Sequence, residues 1–265
     1  MSYLLGDIGR TKLRLAWAET LDKFNEPIIL NTPPSFDAVI NLIVEEATKL
    51  SGGKKFEQAI IGVTRKVASG EDLVAALSAK LGVPVKAEND AALGALGEAM
   101  AGAGAGHKIV VYYTISTGVG GARIVEGKID RSAFGFEPGH QVIDAGRSLC
   151  PECSGPFLED YISGTAVEKR MGKKPFEIND DEFWQQMARF LAQGLVNSCV
   201  HWSPDIIVLG GSMMKKPGIA VEEVVTALHS LLPSFYPPPK VVAAMLGDVV
   251  GLHGALALLR ETYQH

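Results

Sequence analysis

The sequence predicts an α/β protein built as two lobes in series. Three observations predict it. Apolar runs of strand length alternate with stretches of helical spacing along the whole chain. Two segments, Tyr3 to Trp17 and Ile109 to Val125, read as the same unit: a strand, a polar turn bearing glycine, and a returning strand. Each of these units opens one half of the chain, so the plan reads as a duplication, with no low-complexity stretch between the halves. A chain of 265 residues suffices for two small lobes with a core each. The division expected is residues 1–113 with 247–265 in the N-terminal lobe and 114–246 in the C-terminal lobe.

The elements follow in order. Tyr3-Leu4-Leu5-Gly6-Asp7 is a short apolar run that reads as a buried strand. Leu13, Leu15 and Trp17 alternate with Lys12, Arg14 and Ala16, the period of a second strand. Phe36, Val39, Ile40, Ile43, Ala47 and Leu50 keep helical spacing until Gly52-Gly53 stops them. A buried strand over 58–63, a helix near 71–81, a short strand over 83–88 and an alanine-rich helix over 91–101 complete the first half. The second half opens with a strand over 109–115, the turn Ser116 to Gly121, and a returning strand over 122–125. Glu126-Gly127 then makes a tight hairpin turn. A long helix over 183–202, a strand over 206–209 ending at Gly210-Gly211-Ser212, a helix over 221–232, a strand over 241–246 and a helix over 251–263 finish the chain.

Composition narrows the partners. The formal net charge is −5, which gives no footprint for a phosphate backbone and argues against nucleic acid. No run of about 20 apolar residues suggests a membrane span, and the first residues lack the pattern of a signal peptide. Three cysteines, an odd number, argue against a disulfide framework, and a reducing cytoplasm is the default expectation. The 29 glycines hint at turns where backbone must approach a ligand.

The chemistry concentrates in the two turns. Glycines at Gly9 and Gly118 let backbone N–H groups point at phosphate oxygens, and Thr11 and Thr117 add hydroxyl donors. Asp7 ends the first strand, where a carboxylate can position Mg²⁺ directly or through water. There is no glycine-rich run ending in Gly-Lys-Ser or Gly-Lys-Thr, so this is not a Walker A loop. A plain hairpin explains either turn alone; two at equivalent places favour phosphate binding. Asp90 follows a strand and opens a helix. Taken alone, Asn89 or Asp90 there is an ordinary helix cap.

Taken together, these segments resemble the ROK family of sugar kinases and repressors, within the actin-like ATPase superfamily. Asp7-Ile8-Gly9-Arg10-Thr11-Lys12 is similar to the family's first phosphate motif and Ser116-Thr117-Gly118-Val119-Gly120-Gly121 to its second. Glu88-Asn89-Asp90-Ala91-Ala92-Leu93-Gly94 resembles the segment with the catalytic aspartate, and Glu137-Pro138-Gly139-His140 matches Glu-x-Gly-His. Leu158-Glu159 with Ser163-Gly164, Val208-Leu209-Gly210-Gly211-Ser212 and Leu246 to Ala255 complete the family order. The resemblance implies a two-lobed, ribonuclease H-like fold with the active site in the cleft between lobes. It implies ATP-dependent phosphorylation of a hydroxyl on a sugar, amino sugar or nucleotide sugar, with Asp90 as general base. Asp7, Gly9, Thr11, Lys12, Thr117, Gly118, Gly210 and Gly211 would serve ATP and Mg²⁺. Asn89, Asp90, Glu137, His140 and Glu159 would hold sugar hydroxyls. A homodimer is the implied assembly.

The chain departs from the family pattern twice. A structural zinc would use His140 and three cysteines. Here the run is Cys150-Pro151-Glu152-Cys153-Ser154-Gly155-Pro156-Phe157-Leu158-Glu159, with Phe157 in the third cysteine's place. His140, Cys150 and Cys153 fall one short of a closed tetrahedral site. Zinc with a fourth ligand such as water or Glu152, a loop clip, and free thiols all stay open; Cys199, on a later helix, reads as core. The second departure is a short first lobe. Thr64-Arg65-Lys66-Val67 runs almost directly into a helix, where the family has Pro-Gly and a long loop. That suggests a more open pocket, and Arg10 with Arg65 would favour an anionic sugar, unless Arg10 is only a solvated turn residue. A regulator of the same family needs an N-terminal DNA-binding domain, and a first strand starting at Tyr3 weighs against it. A catalytically inactive sugar or nucleotide sensor is the alternative that retains the fold.

Overall fold

The computed structural model describes residues 2–64 and 70–263. The chain divides into two compact units, Met1–Met100 with Asp248–His265, and Ala101–Gly247. The sequence-based division assigned 101–113 to the first lobe. The strand over Ile109–Ile115 instead lies at the centre of the second unit's sheet, so that stretch belongs to unit two.

Unit one is built on β1 (Tyr3–Ile8), β2 (Lys12–Ala18), β3 (Ile28–Asn31), β4 (Gln58–Val63) and β5 (Val85–Asn89), in the order β3-β2-β1-β4-β5. β1 pairs antiparallel with β2, and β1, β4 and β5 run parallel. All six residues of β1 are buried, as expected for a central strand covered on both faces. One face carries α1 (Phe36–Ser51) and α2 (Gly70–Leu81). Ser35 caps α1 by accepting from the Ala38 N–H, and Gly52 ends it in the left-handed region at φ 58°. Val39, Ile40, Ile43 and Ala47 form its apolar stripe and pack with Leu4, Leu13, Leu15 and Ile61. β3 escapes sequence reading because its apolar run, Ile28-Ile29-Leu30, is only three residues long and lies between Pro27 and Pro33 at the edge of the sheet.

The last helix of the chain, α8 (Val250–Tyr263), packs on β1 and β4. It also meets α3 (Asp90–Ala101), whose residues Ala91 to Ala99 are all buried. The two helices touch backbone to backbone. A Cβ at Gly254 would overlap the Leu93 carbonyl, and one at Gly97 would overlap the Val250 carbonyl. The alanine-rich sequence of α3 is what permits this approach.

Unit two repeats the plan. Its sheet runs β10 (Lys240–Ala243), β9 (Ile206–Gly210), β6 (Ile109–Ile115), β7 (Val119–Val125), β8 (Lys128–Ile129). β6 pairs antiparallel with β7 and parallel with β9, the relations β1 has with β2 and β4. The two sheets therefore share strand order and direction. Glu126 at φ 51° and Gly127 at φ 76° form the tight β7–β8 turn expected from the sequence. β7 starts at Val119, so the expected turn over 116–121 shrinks to its first three residues.

The long helix α6 (Asp181–Trp202) is capped by Asp180, which accepts from the Phe183 N–H. Its face of Phe190, Leu191 and Leu195 joins Tyr113, Tyr161 and Leu209 in one core. α7 (Val221–Leu231) adds Val224 and Leu228. Two short helices, α4 (Leu158–Ile162) and α5 (Gly164–Met171), follow one another with only Ser163 between them. They are too short for periodicity to reveal. Among the described residues, no helix is long and apolar enough to cross a membrane.

The α3–α8 contact yields a stability prediction. Gly254→Ala should destabilise the protein by about 1–3 kcal/mol or more, since the added methyl meets backbone that cannot swing away. Denaturant unfolding of the variant, read as a lower midpoint at unchanged slope, checks it.

Candidate active site

In unit one, the chemistry gathers at the C-terminal ends of the parallel strands. Asp7 stands near the end of β1, opposite Gly62 of β4 and Arg14 of β2. The missing side chain at Gly62 leaves the space between two acids. A Cβ there would lie 3.5 Å from Asp7 Oδ1 and 3.6 Å from the Asp90 Cα. On the other side, α8 begins so close that a Cβ at Gly251 would meet Asp7 Cγ at 2.7 Å. Asp7 is thus 8% exposed. Burial pushes its carboxyl up to about 7; Arg14, with Nη1 at 3.4 Å from Oδ2, pulls the other way, and the Asp90 charge adds to the rise. Arg14 was not singled out from the sequence, although strand alternation places it directly across from Asp7.

A buried carboxylate with one guanidinium at its edge and a second acid beside it is a donor set that fits a hard divalent cation. The residues at Asp7 are therefore compatible with Mg²⁺.

Asn89 ends β5 and caps α3, its Oδ1 accepting from the Ala92 N–H at 3.0 Å. Asp90 accepts from the Ala91 N–H at 2.9 Å. The capping role weighed for either residue thus falls to Asn89, and Asp90 is set at the helix N-terminus, where the dipole favours its negative charge.

The first turn is closed by the Gly9 N–H donating to the Lys12 carbonyl at 2.9 Å. Thr32 on the strand side braces it: its hydroxyl donates to the Gly9 carbonyl at 2.8 Å and its N–H to the Thr11 carbonyl at 3.1 Å. Arg10 and Thr11 are exposed. Lys12 Nζ donates to Asn31 Oδ1 at 2.9 Å. Arg65, paired with Arg10 in the anionic-sugar reading, lies outside the described residues, as do Lys66 and Val67.

In unit two, the turn after β6 is held from several sides. The Ser116 N–H donates to the Gly118 carbonyl at 2.8 Å. Glu159, in the first turn of α4, accepts from the Val119 N–H through Oε2 at 2.7 Å. Gly164 and Thr165 at the start of α5 donate to the carbonyls of Ser116 and Thr117. Glu137 precedes a single 3₁₀ turn and His140 ends it, with Nδ1 of His140 3.3 Å from Oε2 of Glu137. Gln141, not singled out from the sequence, anchors that turn. Its Nε2 donates to the Pro138 carbonyl at 2.7 Å and to the Tyr113 hydroxyl at 3.1 Å, and its Oε1 accepts from Asn197 at 2.8 Å. Gly210 ends β9, and Gly211 follows at φ 98° with its Cβ position filled by the Ile115 carbonyl, so only glycine fits there.

The zinc reading does not survive. Cys150 and Cys153 are joined as a disulfide, with Cα atoms 5.4 Å apart, well within the reach of that bond. Both sulfurs are thereby removed as thiolate ligands. Phe157 takes the remaining place, with its ring edge-on to His140 at 6.0 Å. Among the described residues, no group of three or more His, Cys, Asp or Glu could hold a metal ion. Of the alternatives left open for this loop, the clip is the one present: Cys150 and Cys153 pair, a single local bond and not a disulfide framework. The third, Cys199, is buried in the core, where burial pushes its thiol up to about 11. Asp144 organises the same loop, accepting from the N–H groups of Ser148 and Leu149 and from the Tyr161 hydroxyl.

The buried acid gives a pH prediction. Because Asp7 holds its proton more tightly folded (about 7) than unfolded (3.8), ionising it costs the folded state. The stability is full below the unfolded pKa and is lost as pH rises through the folded one. Asp7→Asn removes that loss, so its stability relative to wild type should climb between pH 4 and pH 7, by at most about 1.4 kcal/mol per pH unit. Denaturant unfolding in chelator across that range checks it.

Comparison with known proteins places this arrangement. The model of the ROK family matches residues 54–262. Fructokinase of Lactococcus lactis subsp. cremoris is 33% identical over 155 residues, 56% of this chain and 52% of its own length, so the chain spans about half of that relative. Glucokinase of Streptomyces coelicolor is 25% identical over 305 residues, covering 96% of each. Among solved structures, a ROK hexokinase from Thermus thermophilus superposes with a TM-score of 0.81 at 24% identity over 100% of both chains. A ROK family glucokinase from Streptomyces griseus, in complex with glucose and AMPPNP, gives 0.79 at 24% identity over 98% of this chain and 100% of its own. The shared fold is the actin-like ATPase fold expected from the sequence. The family match covers well over half of the chain, and the chain belongs to the ROK family.

Proposed function

We propose that this protein is an ATP-dependent kinase that phosphorylates a hydroxyl of a sugar or sugar derivative. The observation that carries the reading is the pair of acids about Gly62: Asp7 buried beside Arg14, and Asp90 at the start of α3 next to it. Phosphoryl transfer needs two such carboxylates, one to hold the cation that accompanies ATP and one to take the proton of the attacking hydroxyl. The relatives named fructokinase and glucokinase, and the glucokinase structure with glucose and AMPPNP, support hexoses as the first substrates to try.

In this reading Asp90 is the general base. The Ala91 N–H holds one of its oxygens, which fixes the carboxylate rotamer before substrate arrives. Asp7 holds Mg²⁺, which when bound supplies positive charge to the phosphate oxygens. Gly9, Thr11 and Lys12 in unit one, and Thr117 and Gly118 in unit two, offer N–H, hydroxyl and ammonium donors to phosphate. Gly210 and Gly211 leave backbone bare for the nucleoside end. Asn89, Glu137, His140 and Glu159 are the sugar contacts. Asn89 reaches sugar with its amide N–H₂ while its oxygen caps α3.

The test is ATP consumption by wild type and Asp90→Asn across hexoses, amino sugars and nucleotide sugars. Wild type should turn over with at least one acceptor class, and Asp90→Asn should lose on the order of 10²–10⁴-fold in turnover while still binding a non-hydrolysable ATP analogue. No turnover on any acceptor, with the analogue still bound, would reassign the protein as a sensor of the same fold.

A further inference from the structure

Three backbone groups of the turn after β6 are bonded to one short segment, residues 159–165. The Val119 N–H donates to Glu159 Oε2 at 2.7 Å. The Ser116 carbonyl accepts from the Gly164 N–H at 2.7 Å. The Thr117 carbonyl accepts from the Thr165 hydroxyl at 2.8 Å and from its N–H at 3.3 Å. The fit is steric as well as polar. A Cβ on Gly118 would lie 2.6 Å from Glu159 Oε2, and one on Gly164 would lie 2.9 Å from the Ser116 carbonyl oxygen. The carboxylate therefore fills the space that the glycine of the turn leaves open.

We propose that Glu159 and Thr165 are positioning residues for the phosphate turn, and that Glu159 makes the turn's geometry depend on the acceptor sugar. This rests on the kinase reading above, in which Glu159 touches sugar and Thr117 and Gly118 touch phosphate. One carboxylate serves both. A charged acceptor on the Val119 N–H fixes the orientation of the peptide that follows Gly118, and Thr165 fixes the carbonyl of Thr117 one residue earlier. Their hold sets the directions of the donors at 117 and 118 before ATP arrives. A sugar hydroxyl bonded to Glu159 restrains the same carboxylate further, so acceptor and nucleotide should each tighten the other's binding, by the same factor.

α4 and α5 are what make this arrangement possible. Ser163 ends the first helix and caps the second, accepting from the Ala166 N–H at 3.2 Å, so the chain turns sharply between Glu159 and Thr165. Both residues thereby face one three-residue turn.

The experiment measures binding of AMPPNP with Mg²⁺ by calorimetry, with and without the best acceptor, for wild type, Glu159→Ala, Glu159→Gln and Thr165→Val. Thermal melts confirm that each variant is folded. Without acceptor, Glu159→Ala and Thr165→Val should each weaken AMPPNP binding on the order of tenfold, the loss expected from one directing hydrogen bond. Glu159→Gln keeps an oxygen for the Val119 N–H and should restore most of the AMPPNP affinity while raising KM for the acceptor. Thr165→Val should leave the acceptor KM unchanged and raise that for ATP. AMPPNP affinities equal to wild type in folded Glu159→Ala and Thr165→Val would overturn the positioning role and leave the kinase reading standing. Absence of AMPPNP binding by wild type would overturn the kinase reading, and this inference with it.

Discussion

The contact between α3 and α8 is the constraint on which unit one depends. The two helices cross with Gly97 and Gly254 at the interface, each against a carbonyl of the other helix. Side chains cannot set such a distance; only backbone can. With the axes fixed there, the first turns of both helices fall where the acids need them. α3 delivers Asp90 to the edge of Gly62, and α8 delivers Gly251 against Asp7. The burial that raises the Asp7 carboxyl thus follows from the packing of two helices that both lie far along the chain from β1. A close-packed interior transmits placement of this kind because it has no slack to absorb it.

Unit two solves the equivalent problem with polar bonds. Its loops hang on hydrogen bonds anchored in α6 and β6. Tyr113 and Ser198 share a buried hydrogen bond of 2.7 Å, Gln141 joins Tyr113 to the Pro138 carbonyl, and Asn197 holds Gln141. These groups are buried or half-buried, and each one's loss would strand its neighbours. Farther along, Asp144, the Cys150–Cys153 bond and Asp160, which accepts from Ser154 and the Phe157 N–H, fasten the loop that leads into Glu159. A long irregular segment thereby reaches the base of a helix with little freedom left.

Much of this was legible in the sequence, and what was not has identifiable causes. β4 and β6 are read to the residue because each is a continuous apolar run bounded by polar residues. The equivalence of the two hairpins was visible, and the sheets carry it through to identical strand order. β3, α4 and α5 were not visible: β3 offers only three apolar residues, and helices of five and eight residues are too short for a 3.6-residue period to show. Roles that depend on partners far along the chain were also hidden. Nothing near Thr165 or Gln141 in sequence announces that one binds residue 117 and the other residue 197. The cysteine count spoke only against a framework, and parity could not choose between a clip and free thiols for two cysteines three residues apart. Glu159 was picked for the sugar alone; its bond to Val119 spans forty residues and exists only once the chain is folded.

The two units differ in how the chain supplies them. Unit two is one continuous stretch, Ala101–Gly247, whereas unit one waits for Asp248–His265 to complete it. During synthesis the ribosome therefore releases all of unit two before α8 emerges. Until then the face of α3 around Leu93 and Gly97 lacks its cover, and β1 and β4 lack theirs. Domains fold as units while the chain is being made, and the usual order is amino-terminal first. Here the supply of segments runs the other way: the chain holds every residue of unit two before it holds α8, whose Gly251 covers Asp7.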